Sequence, residues 1–401
     1  MKILLFGDAP MALNEGGINQ TLYNLFSFID PKDFMGITEV DKKTLQKLGS
    51  VEPYTNRYKS YKLNLINFPV NRFTKFLLPF VNQINFYIFQ QNQYNKLKQE
   101  ILMFAPDVVI SCSNTSSGIL MHDKLFNNND LFAPIIPYFM DDWMYKNKQD
   151  KVGKLVHNII QKMLQKNKYW MMIGEELGNL LAERYQAKPE KILYIRNPVD
   201  LSDAPQDSIP VKHNPFKIAY AGALWPMHFD SFLAFAKALK LLPVQLKAQL
   251  ILYTQESQWK WRKAELEPLG VVYGGHLPYN QVHQKLNEAD ALLITASFSS
   301  ENYTHSTGSL QTKVTDYCKS KRLIISCAPS YAANNKFIKN NNCGICIETN
   351  NERDIAKEVV EIINNFSAYQ NLVTNAWNTL QDFSKEAVHQ KIKEFLQLSL
   401  Q

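Results

Sequence analysis

The sequence predicts an α/β protein built from two Rossmann-like domains that face each other across a cleft. Three observations lead to this fold class. The chain has 401 residues, which is enough for two or three domains of about 150 residues each. Short apolar runs alternate with helical patterns along most of it, as in parallel sheets covered by helices. The alternation lapses between Asp200 and Pro215, where proline and polar residues crowd a segment without apolar periodicity, as in an interdomain linker.

The first half of the chain contains short apolar runs that we interpret as buried strands. These are Lys2–Gly7, Asp107–Ile110, Pro134–Phe139, Trp170–Ile173 and Ile192–Ile195. The glycine pair Gly16-Gly17 opens a helix that runs to Phe26, and residues 155–184 have helical spacing on either side of the fourth strand. We therefore place the first domain at residues 1–196.

The pattern restarts after a linker that we place at residues 197–215. The predicted strands of the second half are Lys217–Ala221, Gln249–Tyr253, Val271–Tyr273, Ala291–Thr295 and Arg322–Ser326. The predicted helices cover 229–242, 281–289, 313–319 and most of 352–398. The second domain is therefore expected at 216–385, and the pattern leaves open that the C-terminal helix, 386–401, packs back on the first domain.

Composition excludes several classes of protein. Hydrophobic residues make up 45% of the chain and charged residues 20%, and the net charge is +7. This modest excess suits an anionic small molecule or an acidic membrane surface, and it is too dispersed for nucleic acid. Five scattered cysteines argue against a disulfide framework. No apolar run is long enough for a membrane span or a signal-peptide core, so we expect a cytoplasmic protein.

Three motifs then carry a family resemblance. They are Val271–Pro278, which reads VVYGGHLP, Asn197-Pro198-Val199-Asp200 before the linker, and Thr312–Tyr317, which reads TKVTDY. In this order and over nearly the whole chain, the sequence resembles the retaining glycosyltransferases of GT-B architecture, of the family-four (group 1) type. The resemblance implies a fold of two Rossmann-like domains and transfer of a sugar from a nucleotide-diphosphate donor to a hydroxyl of a glycan or lipid-linked acceptor.

The resemblance also implies which residues bind the donor. A strand that ends in glycine lets backbone amides approach a flat nucleobase. The implied contacts are Gly274, Gly275, His276 and Leu277 around the base, Asp316 on the ribose, Gly222, Ser309, Leu310 and Lys313 at the diphosphate, and Gly17 from across the cleft. The nucleotide sugar is then a co-substrate, and no separate cofactor is expected.

The sequence departs from the family at two places. Gly308 stands where the family has a glutamate that faces the donor sugar, and residues 221–228 lack the arginine that the family places on the diphosphate. A non-catalytic nucleotide-sugar-binding protein and a GT-B nucleotide-sugar epimerase therefore stay open as alternatives.

Adjacent carboxylates, Asp141-Asp142, follow the strand that ends at Phe139. Carboxyl ends of strands in open α/β sheets build binding sites, so these residues are candidates for a catalytic role on the acceptor side. A helix N-cap and a metal site are the other interpretations. We expect no metal, because backbone amides and basic side chains can supply the electrostatic stabilisation in this class.

Two further segments allow more than one interpretation. Cys343 and Cys346 have the spacing of half a zinc site, but no second pair follows, so we interpret both thiols as structural. Residues 72–102 carry aromatic residues at helical spacing among basic residues. This pattern fits either a core helix or a peripheral contact with the inner face of a membrane, where a lipid-linked acceptor for surface polysaccharide or glycoconjugate synthesis would lie.

Overall fold

The computed structural model of the chain describes residues 1–13, 17–47, 53–61, 75–77, 79–81, 91–126, 133–143, 151–202 and 212–401. The chain divides into two compact units. The first unit contains Met1–Ile195 together with His389–Gln401, and the second contains Arg196–Val388. Residues 203–211 of the predicted linker lie outside the described residues.

The first unit is built on a parallel sheet that has seven strands within the described ranges, in the order β3-β2-β1-β4-β5-β6-β7. The strands are β1 (Ile3–Gly7), β2 (Phe34–Thr38), β3 (Tyr58–Ser60), β4 (Val108–Cys112), β5 (Ile135–Phe139), β6 (Tyr169–Met172) and β7 (Lys191–Tyr194). All residues of β1, β2 and β4 are buried, as in parallel strands covered on both faces. Strands β2 and β3 were not predicted from the sequence.

Helices cover this sheet. They are α1 (Ile18–Phe26), α2 (Lys42–Lys47), α3 (Gln91–Phe104), α4 (Ser116–Phe126), α5 (Lys151–Lys166) and α6 (Glu175–Tyr185). The large apolar side chains buried along α5 recur at intervals of three or four and form one face; they are Val156, Ile159, Ile160, Met163 and Leu164. None of the described helices is both long and apolar enough to span a membrane.

The second unit has its own parallel sheet, with the order β10-β9-β8-β11-β12-β13. The strands are β8 (Phe216–Ala221), β9 (Ala248–Tyr253), β10 (Val272–Gly275), β11 (Ala291–Thr295), β12 (Leu323–Cys327) and β13 (Ile345–Ile347). The chain builds outward from β8 to β10 and then returns to the other side of β8 with β11. This reversal creates a topological switch point between β8 and β11, where open sheets bind ligands at the carboxyl ends of their strands.

The helices of the second unit lie on both faces of its sheet. They are α7 (Pro226–Leu239), α8 (Glu256–Leu266), α9 (Tyr279–Leu286), α10 (Tyr303–Gly308), α11 (Lys313–Lys319), α12 (Ala333–Asn340), α13 (Glu352–Asn364), α14 (Gln370–Thr379) and the start of α15 (Lys385–Leu398). Alternate residues of β11 enter different cores: Leu293 packs with one buried cluster and Leu292 and Ile294 with another. This alternation is the period of two expected of a strand buried on both faces.

The end of the chain returns to the first unit. From His389 onward, α15 belongs to that unit. The His389 Nε2 atom lies 2.7 Å from the carbonyl oxygen of Asn24 in α1, and the Phe395 ring packs edge-on against Tyr169 of β6. The prediction of an α/β chain with two parallel-sheet domains is confirmed.

Candidate functional site

The end of β8 and the start of α11 meet at the switch point of the second sheet. Gly222 follows β8 directly and has a φ of +132°. A Cβ atom at this position would lie 2.9 Å from Nζ of Lys313, the first residue of α11. The backbone conformation therefore requires glycine, and a Cβ atom here would also force the flexible end of the lysine to move. Two residues predicted at the diphosphate, Gly222 and Lys313, are brought together.

The amino group of Lys313 lies over the face of an aromatic ring. Its Nζ lies 3.8 Å from the centre of the Tyr220 ring. Within the described part of the chain no carboxylate pairs with it, and burial alone lowers the pKa of Lys313 to about 7. Removal from water disfavours the charged form of a lysine, and a neighbouring anion restores it. This position is therefore suited to an anionic ligand.

The loop between α10 and α11 uses part of its hydrogen-bonding capacity within the protein. The amide of Ser309 donates to the carbonyl of His305 at 2.9 Å, and the amide of Gln311 donates to Asn334 Oδ1 at 3.1 Å. The side chain of Leu310 packs in the core. Ser309 and Leu310 precede Lys313 in the loop that leads into α11, but the Ser309 amide is engaged within the chain, which leaves the Lys313 ammonium as the main candidate for an anion-binding group.

Sequence reasoning missed two histidines at this site. His228 lies in the first turn of α7, and its ring centre is 5.9 Å from that of His305 in α10. Gln311 Nε2 lies 3.4 Å from His228 Nδ1. Burial, reinforced by the nearby Lys313 charge and by His305, lowers the pKa of His228 to about 3. A neutral imidazole therefore borders the lysine, and its position six residues after a strand-ending glycine was the available sequence signal.

A hydrogen bond attaches helix α11 to the end of β8, beside the candidate site. The Ala221 amide donates to the Tyr317 hydroxyl at 2.8 Å, which ties α11 to the end of β8. Asp316 lies three residues after Lys313 and so on the same side of the helix. Its Oδ1 atom is 3.7 Å from His283 Nε2 in α9. The predicted ribose residue is thus half-buried beside the helix that follows the predicted base loop.

The two glycines at the end of β10 have different roles. A Cβ atom at Gly274 would collide with the ring of Tyr253, so this glycine makes room for a neighbouring side chain. Gly275 has a φ of +92°, and its carbonyl accepts a hydrogen bond from the Thr254 amide at 3.0 Å. Gly275 therefore provides the turn from which the base loop departs.

The two residues after this turn differ in exposure. His276 is exposed and Leu277 is half-buried, where it packs against the core that contains Leu310. Of the two side chains in the predicted base-binding group, that of His276 is the more open to a ligand.

Gly17 belongs to the first unit, at the start of α1. It has a φ of +64°, and among the described residues beyond its chain neighbours no atom lies within 4 Å of the position a Cβ would take. Its carbonyl accepts a hydrogen bond from the Thr21 hydroxyl at 3.0 Å. Gly16, the other member of the pair, lies outside the described residues. As far as the described residues show, space beside Gly17 is open, as a ligand contact requires.

The adjacent carboxylates after β5 are in different environments. Both oxygens of Asp142 accept hydrogen bonds from Arg184, each at 2.6 Å. Asp141 has one buried oxygen without a partner, and its pKa is raised to about 6, chiefly by burial. Because Arg184 occupies the whole carboxylate of Asp142, the geometry favours Asp141 as the one that faces a ligand.

Metal ligands do not gather anywhere within the described ranges: no group of three or more His, Cys, Asp or Glu side chains is arranged to hold an ion. Cys343 is buried and Cys346 is half-buried, with the Cys346 thiol 3.7 Å from the carbonyl oxygen of Asn335.

Part of the segment predicted either as core or as membrane contact is described. Phe76 and Phe80 are largely exposed, while residues 82–90 lie outside the described residues. At α3, Tyr94 and Leu97 are buried in the core, whereas Met103 is exposed. The segment therefore combines a core-facing helix with exposed aromatic side chains upstream.

No family model and no curated protein matches the sequence. Among solved structures, HepE of Anabaena in complex with UDP is similar, with a TM-score of 0.69 and 14% identity, covering 99% of this chain and 100% of that one. A glycosyltransferase of Rickettsia africae has a TM-score of 0.70 and 14% identity, covering 100% and 99%. The lipopolysaccharide outer core galactosyltransferase WaaB has a TM-score of 0.66 and 15% identity, covering 99% of both chains.

Likeness at this level of identity establishes the fold. The chain has the two-domain GT-B architecture found in glycosyltransferases, in agreement with the sequence resemblance.

Proposed function

We propose that the protein transfers a sugar from a nucleotide-diphosphate donor to a hydroxyl of a glycan or lipid-linked acceptor. The observation that carries this proposal is the position of Lys313, whose amino group lies at Gly222 without a carboxylate partner in the described part of the chain. A diphosphate bound at the end of β8 supplies the missing negative charge.

The same lysine explains how catalysis would arise. When the bond between the sugar and the diphosphate breaks, negative charge accumulates on the leaving group. A fixed ammonium ion beside that group stabilises the transition state more than the ground state. His228 is neutral because of its burial, so it offers the donor a polar ring without adding a second positive charge.

The nucleoside is expected on the β10 side of the lysine. Asp316 would accept hydrogen bonds from the ribose hydroxyls, and the base would lie against the loop that begins at Gly275 and His276. HepE is described in complexes with UDP and with UDP-glucose, which makes UDP-sugars the first donors to test.

The acceptor is expected on the first unit, near Gly17 and Asp141. The family resemblance favours retention of the anomeric configuration without a metal ion. WaaB is described as a lipopolysaccharide outer core galactosyltransferase, and the exposed Phe76 and Phe80 suit contact with a membrane that carries a lipid-linked acceptor. These features support a role in surface polysaccharide or glycoconjugate synthesis.

One observation favours a second candidate. Gly308, the last residue of α10, has no side chain to offer the donor sugar. A protein that binds nucleotide sugars without transferring them would tolerate this glycine. Donor binding without transfer or donor hydrolysis across an acceptor panel would support that alternative.

Thermal-shift titration with nucleoside diphosphates, their sugars and the free nucleosides tests the proposal. We expect UDP or a related diphosphate to raise the Tm of the wild type. Lys313→Ala should weaken diphosphate binding about tenfold or more, with little effect on the free nucleoside.

Lys321→Ala is the matched control, because Lys321 also stacks on an aromatic ring, with Nζ 4.3 Å from the Trp377 ring centre, but lies two residues beyond the C-terminal end of α11, whereas Lys313 begins that helix. Equal losses for diphosphate and nucleoside in Lys313→Ala would contradict a phosphate role. No shift with any nucleotide would overturn the proposed function.

A further inference from the structure

Unpartnered polar atoms gather at the carboxyl ends of two neighbouring strands in the first unit. Four buried side-chain atoms here have no hydrogen-bond partner: Ser113 Oγ and Asn114 Oδ1 after β4, and Asp141 Oδ1 and Trp143 Nε1 after β5. Strands β4 and β5 pair in parallel, so their carboxyl ends lie side by side. Leaving a buried polar atom unpaired costs free energy, and a ligand that supplies the partner recovers it.

These strand ends adjoin the switch point of the first sheet. The chain builds outward from β1 to β3 and then returns to the other side of β1 with β4. The switch point therefore lies between β1 and β4, where open sheets bind ligands. Asp8 directly follows β1. A Cβ atom at Gly118 of α4 would collide with Asp8 Oδ1 and would lie 3.0 Å from Ser113 Cβ, so both side chains border the same space. Ser113 is only 1% exposed, and its unpartnered hydroxyl lies at this switch point.

Two carboxylates on this edge are held in place by hydroxyl groups. The Tyr61 hydroxyl donates to Asp8 Oδ1 at 2.8 Å. The Ser117 hydroxyl lies 3.0 and 3.1 Å from the two carboxylate oxygens of Glu39, which directly follows β2. The same hydroxyl is 3.0 Å from that of Thr115, and Thr115 hydrogen-bonds Asp8. One network therefore joins both carboxylates, and a ligand would meet preorganised groups at a low entropic cost.

The edge carries negative charge that no basic side chain balances. In the described part of the chain, no lysine or arginine pairs with Asp8, Glu39 or Asp141. Burial, together with Asp8 and Asp141, raises the pKa of the Cys112 thiol, so both carboxylates lie near the end of β4. Among the described residues, no three such side chains are arranged to hold a metal ion. An anionic group is therefore repelled from this edge.

We propose that this edge binds an uncharged sugar residue of the acceptor through its hydroxyl groups. The unpartnered atoms include both kinds of hydrogen-bonding group: Trp143 Nε1 donates, Asn114 Oδ1 and Asp141 Oδ1 accept, and Ser113 Oγ does both. A sugar hydroxyl also donates and accepts, whereas an ammonium group would leave the Trp143 N–H unpaired. Phosphate or carboxylate groups of the acceptor lie outside this edge. The assignment to the acceptor, on the unit where it is expected, rests on the proposed function.

The experiment measures sugar binding to the full chain by saturation-transfer NMR, with and without UDP. The panel contains neutral mono- and disaccharides, each beside its 6-phosphate or uronic-acid analogue. Ser113→Ala and Trp143→Phe, singly and together, remove unpartnered atoms and no side-chain hydrogen bond of the protein. Ser111→Ala is the matched control, because Ser111 is also buried in β4, but its hydroxyl already has a partner, His122 Nδ1 at 2.9 Å. Tm and UDP affinity are measured for every variant.

We expect the wild type to bind at least one neutral sugar, and to bind its charged analogue about tenfold more weakly. The double variant should raise the Kd of the neutral sugar about tenfold without a loss of Tm or UDP affinity. Ser111→Ala should leave this Kd unchanged, and Glu39→Gln, which removes one negative charge, should narrow the gap between the neutral sugar and its charged analogue. Binding of no neutral sugar, equal binding of the two analogues by the wild type, or an unchanged Kd in the double variant would overturn the proposal. Sugar binding at this edge by a protein that binds no nucleotide would refute the proposed function alone.

Discussion

The amino group of Lys313 lies 3.8 Å from the centre of the Tyr220 ring, and this pair places a cation at the switch point of the second sheet. Tyr220 belongs to β8 and is fully buried, so the ring cannot follow the lysine into solvent. The ring face attracts the ammonium ion, but it does not replace the hydration that burial removes. An anionic group would therefore gain more from Lys313 than from an exposed lysine.

Diphosphate binding should depend on pH because of this lysine. Burial lowers the pKa of Lys313 to about 7, so the free protein loses this charge as pH rises above about 7. A bound diphosphate favours the charged form and raises the pKa, which means that binding takes up a proton above this pH. We expect UDP affinity to fall by up to about tenfold per pH unit between about pH 7 and about pH 9. Calorimetry in buffers of different ionisation enthalpy measures the proton uptake directly.

Two controls separate the titration of Lys313 from other causes of a pH-dependent UDP affinity. The phosphates of UDP are ionised throughout this range, since their last pKa is about 6. Lys313→Arg keeps its charge across the range and should flatten the profile, and uridine should bind with little pH dependence. A slope that persists in Lys313→Arg would assign the titration to another group.

Gly222→Ala should destabilise the protein and weaken diphosphate binding together. The added Cβ would lie 2.9 Å from Lys313 Nζ, and the φ of +132° is unfavourable for alanine. We expect a loss of about 1–3 kcal/mol in unfolding free energy, measured by denaturant titration. Gly174→Ala is the control, because Gly174 has an extended φ of −163° and its Cβ would meet Glu176 at an ordinary 3.6 Å. If Gly222→Ala changes neither the unfolding free energy nor diphosphate binding, then neither the φ of this residue nor the approach of Lys313 constrains the position.

Much of the fold could be predicted because local sequence patterns determine it. The bounds of β11 and α11 agree with the prediction to the residue, since buried apolar runs and helical spacing are unambiguous there. Strand β2 was missed because Gly36 interrupts its apolar run, and β3 because three residues, Tyr58–Ser60, are too few to show alternation. Short edge strands are determined by the partner they pair with, and a single sequence does not contain that information.

The candidate site was less predictable than the fold. Gly222 and Lys313 were identified through motif position, and the structure brings them together. The proximity of His228 to His305 was missed, because residues 77 positions apart meet only through the sheet order. The partner of Asp142 was missed for the same reason, as Arg184 lies in α6, 42 residues further along the chain. Long-range pairs depend on topology, which sequence spacing does not reveal.

Asp316→Ala should weaken the binding of UDP and of uridine to a similar extent, because both ligands contain the ribose that Asp316 is expected to contact. The expected loss is about 1–3 kcal/mol for a hydrogen bond to a charged group, measured by calorimetry. Asp354→Ala is the control, since Asp354 is an exposed carboxylate paired with Lys357 at 2.9 Å. Unchanged affinity for both ligands in Asp316→Ala would remove this residue from the site.

Asp142→Ala should act on stability rather than on ligand binding. It would leave the Arg184 guanidinium, only 13% exposed, without its bidentate partner. Breaking a buried ion pair from one side costs about 3–5 kcal/mol, which urea unfolding would measure. The double variant Asp142→Ala/Arg184→Met should recover part of this loss because it leaves no unpaired charge. A small effect of Asp142→Ala on unfolding, with a large effect on transfer at saturating donor, would instead support direct participation of Asp142 in the reaction.

Asp141→Asn should raise stability and lower transfer at the same time. Burial raises the pKa of Asp141 to about 6 from an ordinary value of 3.8, so between these values the folded protein binds more protons than the unfolded chain. Stability contributed by this group therefore falls as pH rises through this window and stays low above it. Asparagine does not ionise, so the variant should gain Tm over the wild type at about pH 8 and lose that advantage towards about pH 4. If the unpartnered Asp141 oxygen binds the acceptor hydroxyl, kcat/KM for transfer should fall while UDP affinity is unchanged. A variant that gains stability and transfers at the wild-type rate would show that the buried carboxyl has no part in acceptor binding.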